Sequence, residues 1–145
     1  MTLLAQILVG IVAILHLGFP FLEMFLWNTL VDAPTLGTTR EFAAESAALA
    51  VNQGLYYGFL AAGLVWGVIA ADPDPVGLQA KVCFLSCVLL AGLYGAAAVN
   101  KRSLVIQAGP AALAMGAVLL SADRLGRWFS SRVGGRLGAV PSGSG

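Results

Sequence analysis

His16-Leu17-Gly18-Phe19-Pro20-Phe21-Leu22-Glu23-Met24-Phe25-Leu26-Trp27 places a histidine, a proline and a carboxylate inside a run that is otherwise apolar. The run extends back to Leu3 and on to Asn28. That is about 26 residues, or ~39 Å of helix, enough to cross a hydrocarbon core of ~30 Å with some tilt. An ionisable side chain at the centre of such a helix costs roughly 2.5 to 3.5 kcal/mol on insertion scales, so these residues turn toward protein or a wet cavity. The stretch therefore reads as the second half of a membrane-crossing helix that carries part of a polar site.

The rest of the chain agrees with that class. Hydrophobic residues make up 59% of its 145 residues and charged residues 10%, against roughly 25% charged in soluble domains. Mean hydropathy is +0.87. A net charge of +1 gives no field for nucleic acid, which is excluded as a partner. No nucleotide-binding fingerprint and no zinc-ligand cluster occurs in the sequence, so neither a cofactor nor a metal site is expected. Cys83 and Cys87 fall four apart on one helix face, where rigid backbone keeps them from bridging, and they read as small buried hydrophobes. A cleaved signal peptide fits the first segment poorly, because it has no basic start, is too long and contains Glu23.

Three more segments follow. Asp32, Pro34 and Gly37 mark a loop over 29–38, and Thr38 with Glu41 has the spacing of a capping box for the second helix. Asp72-Pro73-Asp74-Pro75 ends that helix, since each proline disfavours helical geometry before it. Asn100-Lys101-Arg102 marks the water boundary of the third segment. The expected crossings are 3–28, 42–70, 79–99 and 104–120. Together they form an all-α integral membrane four-helix bundle over residues 1–121. Residues 122–145, with Arg124, Arg127, Arg132 and Arg136 beside Trp128 and Phe129, read as a basic interfacial segment and disordered tail.

An even number of crossings puts both termini on one side. That side carries Lys81 and the four arginines of the tail, against Arg40, Lys101 and Arg102 opposite. The positive-inside rule then favours cytoplasmic termini.

Because consecutive helices alternate in direction, depth can be compared without knowing the orientation. Glu23 is late in the first segment, Asn52, Gln53, Tyr56 and Tyr57 are early in the second, Tyr94 is late in the third and Gln107 is early in the fourth. All lie in one half of the bilayer, with His16 deeper. Pro20 and Pro110 fall in the same half and free the carbonyls of His16 and Ile106. Glu41, Glu45, Asn52 and Tyr56 recur along one face of the second helix. The candidate ligand- or proton-binding residues are His16, Glu23, Asn52, Gln53, Tyr56, Tyr94 and Gln107. All but His16, which is too deep to snorkel, have a plainer reading: interhelical hydrogen bonds for the amides, core or interface aromatics for the tyrosines, and snorkelling or pairing with Lys101 or Arg102 for Glu23. Small residues at Gly54, Gly58 and Ala62, at Gly63 and Gly67, and at Ala91/Gly95 with Gly92/Ala96 predict close packing of the second and third helices.

Leu22-Glu23-Met24-Phe25-Leu26-Trp27, Asn52-Gln53-Gly54-Leu55-Tyr56, Gly92-Leu93-Tyr94-Gly95-Ala96-Ala97 and Gln107-Ala108-Gly109-Pro110-Ala111 resemble blocks of the bacterial membrane proteins grouped as domain of unknown function 1304. The resemblance covers residues 3 to 120. It implies a small four-helix protein of a bacterial inner membrane with no assigned activity. His16, Glu23, Asn52, Gln53, Tyr56, Tyr94 and Gln107 match the family blocks. Tyr57 departs from the pattern and is not counted with the site.

Three functions fit this much. The first is binding or transport of a proton or a small hydrophobic or cationic ligand, the lipid bilayer being the surroundings and a homo-oligomer the working form. The second is an accessory subunit whose polar residues hold the bundle together. The third is a membrane enzyme acting on a lipid or quinone.

Overall fold

The computed structural model describes residues 1–27, 39–70, 75–98 and 100–137, and side chains as far as Asp123 together with Gly126. Helix α1 spans Leu3–Phe21 and runs into a π-helical segment, Leu22–Leu26. Helix α2 spans Arg40–Ile69 and α3 spans Pro75–Ala98. A second π segment, Leu104–Ala108, opens into α4, Gly109–Leu137. Each helix packs on its neighbours in sequence, and α1 also packs on α4, so the four close into an up-down-up-down ring. Four spans are long and apolar enough to cross a membrane: Leu3–Leu26, Arg40–Ile69, Pro75–Ala98 and Leu104–Asp123. The chain is a multi-pass membrane protein.

The helix ends follow from local chemistry. Thr2 caps α1 by accepting from the Ala5 N–H at 3.4 Å, and its hydroxyl also bonds Ser121 Oγ at 2.7 Å, tying the start of α1 to α4. Thr39 caps α2 by accepting from the Phe42 N–H at 3.2 Å. The cap thus falls one residue later than the capping box places it. The third helical residue is then Phe42, so no glutamate can complete the box; Thr38 lies outside the described residues. Helix α3 begins at Pro75, four residues before the expected Gln79, because a proline at a first helical position has the required φ and no orphan N–H. Helix α4 continues to Leu137, past the boundary expected at 121. No proline interrupts the chain between Pro110 and Pro141, and helical backbone bonds are satisfied internally beyond the bilayer as well as inside it.

The half of the bundle beside the termini has an apolar core, with Ala5, Val9, Leu64, Leu85, Val88 and Val118 all fully buried. Lys81 is buried there too, and a Cβ on Gly67 would stand only 2.9 Å from its Cγ. Lys81 therefore belongs to the bundle interior and not to the headgroup flank that the charge count assumes.

The other half is organised by the two π segments. Pro20 lies inside α1 just before the first, and Pro110 just after the second. Each removes one N–H from the helical ladder, and short π segments are a common result of such interruptions. In the second, the Gly109 N–H reaches back five residues to the Leu104 carbonyl. Two glycines seat these segments. A Cβ on Gly54 would lie 2.9 Å from Met24 Cγ and 3.3 Å from Pro20 Cα, and one on Gly92 would lie 2.7 Å from Ala108 N. Gly63 and Gly67 do pack on α3, against Phe84 and Lys81, whereas Gly54 faces the first segment and Gly58 meets nothing within 4 Å.

Candidate functional site

The π segments carry two polar side chains inward, Glu23 from the first and Gln107 from the second. Helix α1 adds His16, and α2 adds Gln53 and Tyr57, one turn apart beside Gly54. These five form one connected set.

His16 is fully buried and Gln107 is 7% exposed. His16 Nδ1 lies 2.9 Å from the Val12 carbonyl, which can only accept, so Nδ1 carries the hydrogen. His16 Nε2 lies 3.2 Å from Gln107 Nε2 and accepts from that amide. The two bonds define the neutral imidazole and occupy both ring nitrogens.

Glu23 is the other pole. Gln53 Nε2 donates to Glu23 Oε1 at 3.1 Å and also to the Tyr57 hydroxyl at 3.1 Å. Glu23 Oε2 is buried and has no hydrogen-bond partner among the described residues. Gln53 is the side chain that holds the carboxylate.

Tyr57 joins the two halves. Its phenol bonds Gln53 and interacts with the Gln107 side chain. Its ring meets His16 edge-on at 5.8 Å and Phe19 at 5.2 Å, and Phe19 meets His16 edge-on at 5.5 Å. Trp27, just past the first π segment, donates from Nε1 to the Ala43 carbonyl at 3.2 Å and to Ser46 Oγ at 3.3 Å, fixing the site's outer end to α2.

Of the residues singled out in the sequence, the structure brings together His16, Glu23, Gln53 and Gln107. Asn52 is exposed, Tyr56 is 60% exposed and Tyr94 is 75% exposed, all three outside the connected set. The stripe Glu41, Glu45, Asn52, Tyr56 is the outward face of α2. Tyr57, set aside in the sequence because it departs from the family pattern, belongs to the set, and Phe19, which no pattern in the sequence singles out, packs against it. A signal for Tyr57 was present: buried Ala43, Ala50, Gly54 and Ala61 mark the face on which α1 packs, and Gln53 and Tyr57 border that row of small residues.

Among the described residues no three His, Cys, Asp or Glu side chains gather where one metal ion could be held. Cys83 and Cys87 are free and exposed. An open apolar groove of about 550 Å³ lies between α1 and α4 at the opposite end, lined by Leu4, Leu8, Leu113, Gly116 and Leu120 and ending at Thr2 and Ser121.

A family model described as "Protein of unknown function (DUF1304)" matches residues 10–119. The chain belongs to the DUF1304 family. The matched range includes the whole connected set, from His16 to Gln107. The chain is also similar to the uncharacterized protein YpaA of Lactococcus lactis subsp. lactis (strain IL1403), 28% identical over 117 residues that cover 79% of this chain and 96% of the relative. No solved structure matches. Family membership supplies no activity for DUF1304 chains, so the chemistry rests on the five side chains.

Proposed function

We propose that this protein binds a proton, or a small hydrogen-bond-donating ligand in its place, at Glu23 in an intramembrane pocket entered from one leaflet. The observation that carries the reading is Glu23 Oε2, a buried carboxylate oxygen with no hydrogen-bond donor among the described residues, while Oε1 is fixed by Gln53. A buried acceptor of this kind is costly unless something supplies a donor. His16 is less suited to the role, since both of its nitrogens are already engaged. Its half of the set orients and packs the site, and that observation favours a structural part for it beside the binding part of Glu23.

The set ends at the Val12 carbonyl, against the apolar core, and two of its links are glutamine amides, which do not titrate. Both features favour a one-sided site over a continuous proton path. Full transport would need the packed half of the bundle to open. We place the protein in a bacterial inner membrane with both termini cytoplasmic, which turns the pocket to the outer leaflet.

Infrared spectra of the protein in lipid bilayers test the central point. A protonated-carboxyl C=O band is expected to grow reversibly as pH falls and to be absent from that position in Glu23→Gln. Identical difference spectra for the wild type and Glu23→Gln would overturn the reading.

A further inference from the structure

We propose that Tyr57 is a positioning residue that couples the state of Glu23 to His16, so that occupancy of the outer group is sensed at the deep one. The proposal rests on the reading of Glu23 as the binding group. It follows from the connectivity of five side chains from three separate parts of the chain.

Gln53 Nε2 has two hydrogens, one given to Glu23 Oε1 and one to the Tyr57 oxygen, both at 3.1 Å. A hydrogen bond to an ionised acceptor is stronger than one to a neutral acceptor. When Glu23 takes a proton, its hold on Gln53 weakens and the amide turns further toward Tyr57. The phenol also interacts with Gln107, whose amide donates to His16 Nε2 at 3.2 Å. Hydrogen bonds in series polarise one another, so the change at Gln53 reaches the imidazole without any proton travelling the chain. Ring contacts give a second route, because Tyr57 sits against both His16 and Phe19. Glu23 from the first π segment, Tyr57 from α2 and His16 from α1 are the titratable members. The second π segment contributes the neutral Gln107.

The sequence contains a single histidine, so 15N-histidine labelling gives one unambiguous pair of ring-nitrogen resonances. The protein is measured in lipid nanodiscs on the alkaline side of the Glu23 infrared transition. Glu23→Gln, which imitates the protonated acid, is expected to shift the His16 resonances. In a Tyr57→Phe background, which keeps the ring and removes the hydroxyl, the same substitution is expected to lose at least half of that shift. Gln53→Leu cuts the link one side chain earlier at an exposed position, and is expected to reproduce the loss even where Tyr57→Phe lowers the yield of folded protein. An undiminished shift in these backgrounds, or no shift in the otherwise wild-type protein, would overturn the coupling. The binding reading has its own readout: a Glu23 band without coupling leaves binding standing and removes Tyr57 from it, while coupling without the band does the reverse.

Discussion

At the residue scale, His16 shows why a polar group can sit deep in the membrane. Its ring is fully buried, and each nitrogen has a partner whose chemistry is complementary: a carbonyl that accepts and an amide that donates. Removing one partner should cost more than removing both. Gln107→Leu leaves His16 Nε2 without a donor and is expected to lower stability by about 1 to 3 kcal/mol. The double substitution His16→Leu with Gln107→Leu should cost clearly less than the two singles together, since residues in one network are not additive. Thermal unfolding in detergent, followed by circular dichroism, measures all three. A strictly additive cycle would mean that the two side chains do not act as a pair. From sequence, His16 and Gln107 were both recognisable as costly in lipid. Their pairing was not, because 91 positions separate them and nothing in either helix alone aligns one with the other.

At the element scale, the two π segments do what regular helices would not. Each lies beside a proline and turns one polar residue, Glu23 or Gln107, into the bundle, and each is pressed against a neighbouring helix where a glycine stands. The positions differ in how much they tolerate. A methyl group at Gly92 would meet backbone of the second π segment at 2.7 Å, with no flexible side chain to give way, whereas Gly58 faces open space. Gly92→Ala is expected to destabilise by about 1 to 3 kcal/mol through overpacking, and Gly58→Ala to stay within about 1 kcal/mol of the parent. The same melting experiment compares them, and equal effects would remove the distinction. The sequence marks Gly54, Gly58, Gly63, Gly67 and Gly92 alike as small residues at four-residue spacing. Which of them meets backbone, which meets a ring and which meets nothing depends on how the helices cross.

At the scale of the whole molecule, the bundle is divided into a half beside the termini with a mainly apolar core, which also buries Lys81, and a half beside the first and third loops that holds the connected polar set. That asymmetry gives orientation a functional meaning, because orientation decides which leaflet Glu23 and its partners face. Lys81 is packed inside the bundle, so the balance of charge between the two sides rests on the arginines that follow Asp123. With cytoplasmic termini, Asn100→Cys in a Cys83→Ser/Cys87→Ser background should react with a membrane-impermeant maleimide in intact cells. Gly126→Cys in the same background should react only after the membrane is opened. The reverse labelling pattern would turn Glu23 and its partners toward the cytoplasm.

Membrane residence, four crossings, the all-α class and the half of the bundle that holds the polar residues were all determined by the sequence. They follow from the length of the apolar runs, the prolines and charges that bound them, and the alternation of helix direction. These are local properties, or sums of local properties. Only the tertiary structure decided which polar residues meet. It turned Asn52, Tyr56 and Tyr94 outward, although their depth is right, and brought Tyr57 to the centre between Glu23 and His16. The reason is rotation: depth is set by counting residues along a helix, but the direction a side chain points is set by which face packs on a neighbour. That face was chosen here by small residues on α2 and by two proline-linked π segments that re-aim Glu23 and Gln107.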